Sequence, residues 1–240
     1  SPLIRWRWTL MCGISQRWGS DLLRCIRCGH VDFRVFDRTK AMASFGWTTS
    51  GRNSTSWAEL RRALLDFGKP LELREYENPK PQGKEILVKI SACGVCHSDI
   101  HLSDGYFDLG DGKRITLADR GTKLPFTPGH EITGSVVDIG EEAEDVNIGD
   151  SGIVFPWIGC GVCEACKKEN ETLCEATKYL GARLNGGYSD HIIVPDSKYL
   201  VSYGDMDPAV AAPYACSGLT AFSALKKIPN TSVDDWIIII

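Results

Sequence analysis

Four cysteines crowd into fifteen residues, as Cys160-Gly161-Val162-Cys163-Glu164-Ala165-Cys166 followed, after seven more residues, by Cys174. Thiolates at this spacing can surround one tetrahedral zinc and leave no coordination position open, so the expected site holds a loop and does no chemistry. Lys167 and Lys168 set positive charge beside it, where thiolates outnumber the charge of a divalent cation. Six of the ten cysteines fall in patterns that suit metal ligation. That usage reads against a disulfide scaffold and points to a reducing compartment, the cytoplasm.

A second set of reactive residues is scattered along the chain. Its parts are Cys96-His97-Ser98-Asp99-Ile100-His101, then Gly129-His130-Glu131, then Cys216-Ser217-Gly218-Leu219-Thr220. Two thiolates and one imidazole would leave the fourth position of a tetrahedral zinc to water or substrate. Separations this long do not choose among the donors. Plainer readings stand beside this one. Cys93 and Cys96 form a C-x-x-C, but an inert, buried Cys93 is the expectation. Cys25, Cys28 and His30 have no second ligand pair nearby, and His191 lies in a strand-like run where a core or surface histidine is expected.

At these residues the sequence resembles the medium-chain zinc alcohol dehydrogenases. The resemblance covers roughly residues 63–240. It is carried by Gly94-Val95-Cys96-His97-Ser98-Asp99, Pro128-Gly129-His130-Glu131, the four-cysteine lobe, Gly186-Gly187-Tyr188 and Ala215-Cys216-Ser217-Gly218-Leu219-Thr220. It implies a mainly β fold with some α: a GroES-like β-barrel over residues 61–206, with the structural-zinc lobe at 159–175. Residues 207–240 are then linking helices and the first strand of an α/β Rossmann domain.

The resemblance also assigns roles. Cys96, His130 and Cys216 would hold a catalytic zinc, with Glu131 just behind it as an alternate ligand, and Cys160, Cys163, Cys166 and Cys174 a structural one. Asp99 would orient the zinc-bound histidine. Ser98 and His101 would relay a proton from the substrate hydroxyl through the cofactor ribose. His97 would face the pyrophosphate of NAD, with NADP not excluded, Ser98 and Thr220 would touch the cofactor, and Trp157 would line the alcohol pocket. The implied reaction is hydride transfer between a primary or secondary alcohol and the nicotinamide, by a protein that is a homo-oligomer at full length. Lacking most of the cofactor domain, the 240 residues are expected to be inactive alone.

The elements that must position these residues are legible in outline. Glu85–Ile90, Ile132–Ile139, Gly152–Phe155 and His191–Val194 are β-rich runs separated by turn residues, which reads as a barrel. Asp207-Pro208 is a helix start, Leu219–Lys227 has helical spacing, and Val233–Ile240 reads as a buried strand. The stretch 105–124 is a long loop, fit to wall a pocket or to meet another subunit. Residues 1–60 stand apart. They carry nine basic against four acidic residues and five of the seven tryptophans, without clear periodicity, and are read as foreign to the enzyme fold.

Composition excludes some functions. The net charge of −4 offers no general attraction for nucleic acid, and no apolar run approaches the roughly 20 residues that span a bilayer, so the partner expected is a small molecule. Two rival readings remain. The zinc-free quinone reductases of the same superfamily do not need these ligands. A non-catalytic zinc-binding scaffold has no use for Ser98 and His101.

Overall fold

The computed structural model describes residues 59–119 and 121–228, and before them the backbone of four short strands. The side chains of Cys25, Cys28 and His30 and the run Val233–Ile240 lie outside the described residues. Two units are distinguished, Ser1–Arg34 and Val35–Ile240. The first contains a three-stranded antiparallel sheet of β1 (Ser15–Trp18), β2 (Leu22–Cys25) and β3 (Val31–Asp32).

The second unit is built around two nine-residue strands. In chain order it runs β4 (Phe36–Asp37), β5 (Glu59–Ala63), β6 (Glu72–Tyr76), β7 (Ile86–Gly94), α1 (His97–Asp104), β8 (Tyr106–Asp108) and β9 (Arg114–Thr116). It continues with β10 (Glu131–Ile139), β11 (Ser151–Val154), β12 (Trp157–Ile158), α2 (Glu164–Lys167) and β13 (Lys178–Tyr179). Last come β14 (His191–Val194), β15 (Leu200–Val201), α3 (Pro208–Ala211) and α4 (Ser217–Lys226). The fold is mainly β with some α, as expected.

The main sheet has the order β14-β7-β10-β11-β15, all antiparallel, with β4 joining β7 at Ala92 and Cys93. Among the described residues no ladder joins β14 to β15. Strand β10 shifts register against β7 after Thr133 and again after Val136. Such irregularities bend a strand and let a sheet curl over its core. At Gly134 the β7 backbone passes so close that a Cβ would strike the Lys89 carbonyl, so only glycine fits. Ile86, Val88, Ile90, Ile132, Val136, Val154, Ile192 and Val194, all on strands of the sheet, belong to the buried cluster. Their β-branched side chains suit a pleated surface.

The ladder delivers functional residues to one end of the sheet. Pairing of Glu131 with Gly94 brings the end of β7 beside the start of β10, so Cys96 and His130 leave adjacent strands as neighbours. Strand β7 runs past Ile90, where the apolar run of the sequence ends, through Ala92 and Cys93, whose small side chains are buried. Helix α3 begins as its sequence predicts: the Asp207 carboxylate accepts the Ala209 N–H at 2.8 Å, and Pro208 occupies the first turn. Residues 105–119 are not featureless, because β8 and β9 pair as a hairpin. No helix among the described residues is long and apolar enough to cross a membrane.

Ile132 is 0% exposed in the middle of this core and Ile148 is 65% exposed. Ile132→Ala should cost about 2–5 kcal/mol of stability, and Ile148→Ala should stay within about 0.5 kcal/mol. Urea unfolding of the two variants checks the placement of the core.

Candidate metal centres

Helix α1 starts at Cys96, and its first turn is organised by Asp99. Asp99 Oδ2 accepts the Cys96 N–H at 2.9 Å, closing a capping box that fixes the backbone of the cysteine. Asp99 Oδ1 accepts the Gly129 N–H at 3.0 Å and His130 Nδ1–H at 3.1 Å. One buried carboxylate therefore holds two candidate ligands, and by engaging Nδ1 it leaves Nε2 of His130 as the donor. The backbone at Gly129 has φ of 96°, which favours glycine, and the Tyr188 ring fills the space where a Cβ would stand.

Cys216 arrives from the other side, immediately before α4. Glu131 Oε1 accepts the N–H of Ser217 at 3.0 Å, which fixes the start of that helix against β10. Gly94 makes this possible, since a Cβ there would run into the Glu131 carboxylate. The donor atoms of Cys96, His130 and Cys216 all lie within 4.8 Å of one another, and the two sulfurs are 4.0 Å apart. Two thiolates about 2.3 Å from a tetrahedral zinc stand about 3.8 Å apart, so the set fits that ion with one position to spare. Glu131 lies outside the three-donor set, with one oxygen committed to Ser217.

The electrostatics suit a cation. The Cys216 thiol hydrogen-bonds Cys96 and, against the opposing effect of burial, draws the Cys96 pKa down to about 3, with His130 and Ser98 assisting. The same contact, joined by burial, pushes the Cys216 thiol up. Burial works against a charged His130, but Asp99 and Cys96 hold its proton and raise it to about 10. Burial raises the Glu131 carboxylate. A bound cation would take the place of the protons shared among these donors.

The remaining sequence-predicted residues surround this cluster to different degrees. Ser98 Oγ is 3.8 Å from Cys96 Sγ. His101, one turn on, stacks on His97 with ring centroids 4.7 Å apart and meets Phe107 of the β8–β9 hairpin at 4.9 Å. Among the described residues no hydrogen bond joins Ser98 to His101. Thr220 is exposed on α4, and its N–H donates to the Cys216 carbonyl at 2.8 Å. Trp157 is half-buried in β12, between Phe155 at 5.7 Å and an edge-on Tyr179 at 6.2 Å. Cys93 is buried, a free cysteine whose thiol burial pushes well up, so its environment is that of an inert side chain.

The second centre is local. Cys160, Cys163, Cys166 and Cys174 present sulfurs all within 4.8 Å of one another. Cys166 Sγ stands 3.9 Å from that of Cys160 and 3.5 Å from that of Cys163. These spacings bracket the tetrahedral value of about 3.8 Å and lie far beyond a disulfide bond of about 2.05 Å. The backbone N–H groups of Val162 and Cys163 draw the Cys160 thiol down to about 6, and burial pushes Cys166 up to about 12. Glu171, Lys198 and Tyr199, which join this lobe to the strands, carry no sequence signal of their own. A glutamate in a polar loop reads as solvated surface.

Residues 82–205 match the family of alcohol dehydrogenase GroES-like domains. The chain is 41% identical over 164 residues to an NAD-dependent alcohol dehydrogenase of Saccharolobus solfataricus, covering 68% of this chain and 46% of the relative. Among solved structures, the D-arabinose dehydrogenase from Sulfolobus solfataricus aligns with a TM-score of 0.61 at 29% identity, covering 71% of this chain and 48% of the other. A cobalt- and zinc-bound thermostable alcohol dehydrogenase from Pyrobaculum aerophilum aligns with a TM-score of 0.61 at 26% identity, covering 72% and 49%. The chain spans about half the length of the curated relatives it matches.

Two separate donor sets lead to an expected zinc content of about two per chain. Elemental analysis of reduced protein checks this, and Cys163→Ser should lose one equivalent and lower thermal stability. A Cys163→Ser variant that keeps both would contradict the four-thiolate site.

Proposed function

The chain belongs to the alcohol dehydrogenase GroES-like domain family, and from that premise we propose that it is the zinc-carrying, substrate-binding part of a nicotinamide-dependent alcohol dehydrogenase. The observation that carries the reading is the open three-donor cluster of Cys96, His130 and Cys216, held by Asp99. A scaffold needs no open position, and the neighbouring four-cysteine lobe already supplies a closed one. The substrate class is a primary or secondary alcohol, or the corresponding aldehyde or ketone. Cysteine-rich, disulfide-free metal sites suit the cytoplasm. A homo-oligomeric assembly and a small-molecule substrate, with no nucleic-acid or membrane partner, complete the proposal.

Zinc bound by Cys96, His130 and Cys216 would supply a Lewis acid for the substrate oxygen, and NAD or NADP would supply the hydride acceptor. The residues of this chain orient the reactants and move the proton. Ser98, beside Cys96, accepts the substrate hydroxyl proton at Oγ while passing on its own. Ser98 and His101 would hold the two ends of the proton path, His101 passing the proton to solvent, and a ribose hydroxyl of a bound cofactor would supply the link between them. His97, which stacks on His101, would hold the pyrophosphate of a bound cofactor, and Thr220, exposed near the start of α4, would hold its nicotinamide. Trp157 presents an aromatic wall to the substrate carbon. Glu131 holds Ser217 through one oxygen, and its carboxylate would be available to a bound zinc as an alternate ligand.

In the intact protein, alcohols should reduce NAD or NADP in a zinc-dependent way. Ser98→Ala leaves the three donors in place and removes the first proton acceptor. It should retain its zinc and lose on the order of 10²–10⁴-fold in turnover. His101→Gln should cost less and recover with added base, because buffer can reach the solvent end of the path. Full turnover by Ser98→Ala across pH, with the chemical step rate-limiting, would exclude this proton path.

A further inference from the structure

The lobe that contains Cys160–Cys174 leaves β12 and returns at β13, closed at its base by the pairing of these two strands, Trp157 with Tyr179 and Ile158 with Lys178. Among the described residues, one side chain of the lobe, Glu171, accepts hydrogen bonds from outside it. Glu171 sits in the one 3-10 turn of the lobe, Glu171–Leu173, between the third and fourth cysteines. Its Oε2 accepts the N–H of Gly159 at 3.1 Å and the Tyr199 hydroxyl at 2.5 Å. Its Oε1 accepts Lys198 Nζ at 2.6 Å. The three donors come from the residue before the first cysteine ligand and from the segment that leads into β15.

The far side of this clamp is buried and hydrogen-bonded. Tyr199 is 6% exposed, and its carbonyl accepts the Phe155 N–H at 2.8 Å, two residues before Trp157. Gly159 is wedged so tightly that a Cβ would press on both Cys166 Sγ and Glu171 Cγ. Burial opposes the charge on Glu171, yet the hydrogen bonds of Lys198, Tyr199 and Gly159 hold its carboxyl below the usual range. Burial and that carboxylate push the Tyr199 phenol up to about 12. Lys198 also brings a cation beside a lobe that four thiolates on a divalent ion leave negatively charged.

We propose that Glu171 is a positioning residue through which the metal-loaded four-cysteine lobe fixes Trp157 in the wall of the substrate pocket. The metal would thus hold the lobe itself, and Glu171 ties its base at Gly159 to Tyr199, whose carbonyl holds Phe155 at the start of the hairpin. The proposal rests on the four-thiolate zinc reading of the lobe and on the reading of Trp157 as pocket wall made under the proposed function. It gives a site that performs no chemistry a defined influence on the substrate side of the protein.

The test follows two quantities in the reduced, zinc-loaded chain. One is the rate at which lobe zinc passes to a chelator, recognised as the phase that Cys163→Ser lacks. The other is the fluorine resonance of Trp157 in protein labelled with 5-fluorotryptophan, assigned by Trp157→Phe. Glu171→Ala should release lobe zinc on the order of tenfold faster, as expected for loss of hydrogen bonds to a charged group. It should also move the Trp157 resonance toward its position in Cys163→Ser. Glu171→Gln keeps an acceptor for Gly159 and Tyr199 and should restore most of the resonance position. Tyr199→Phe, a milder change, should give an intermediate release rate even if Glu171→Ala folds poorly. A Trp157 resonance that ignores both Glu171→Ala and Tyr199→Phe, in a chain that binds two zinc ions, overturns the clamp alone. A wild-type chain whose lobe binds no zinc overturns the four-thiolate reading and the clamp with it.

Discussion

The buried carboxylate of Asp99 is the point on which the open metal centre depends. Its side chain is 3% exposed and accepts from the Cys96 N–H, the Gly129 N–H and His130 Nδ1. A charge removed from water is tolerated only when donors surround it, and these donors belong to two segments far apart in the chain. Satisfying the carboxylate therefore fixes the geometry of the centre. Charge-assisted hydrogen bonds of this kind are stronger than neutral ones and directional, so the same contacts that settle Asp99 aim His130 Nε2 at the two sulfurs.

The fold surrounding Asp99 is arranged to let backbone approach it closely. Gly186 and Gly187 run against residues 127–129, donating to the carbonyls of Thr127 and Gly129 at 2.7 and 2.8 Å. Any Cβ at Gly181 or Gly186 would strike the Gly129 carbonyl. Gly94 opens the space in which Glu131 turns to hold Ser217, and that contact carries Cys216 to the centre. The third ligand is thus placed by packing between β10 and α4, without help from Asp99. The lobe works differently. Its four donors lie in one short segment, and the hydrogen bonds that Glu171 accepts tie that segment to the residues leading into β15.

These differences explain what the sequence made legible. The lobe could be read from spacing because its ligands are local. The open centre could not, since Cys96 and Cys216 are 120 positions apart, and only the resemblance joined them to His130. Strand interiors followed the β-branched runs, and β14 has the bounds expected, His191–Val194. The end of β7 was hidden because Ser91, Ala92, Cys93 and Gly94 lack bulky apolar side chains; tertiary pairing with β10, not propensity, makes them a strand. The two-residue strands β12 and β13 are too short to leave a periodic signal, yet they carry Trp157. The β8–β9 hairpin inside the long loop was missed for the same reason, together with the contact of Phe107 on His101.

The central claim is that Asp99 organises the open centre and leaves the lobe untouched. The most direct measurement is a chelator competition titration of zinc affinity at each centre in wild type and Asp99→Asn. Asparagine keeps the size of the side chain but removes its charge and replaces one acceptor with a donor facing the Cys96 N–H. Affinity at the Cys96–His130–Cys216 centre should fall on the order of 10–100-fold, and affinity at the four-cysteine lobe should not change. An Asp99→Asn variant that keeps its open-centre affinity, or that weakens both centres equally, would contradict the account.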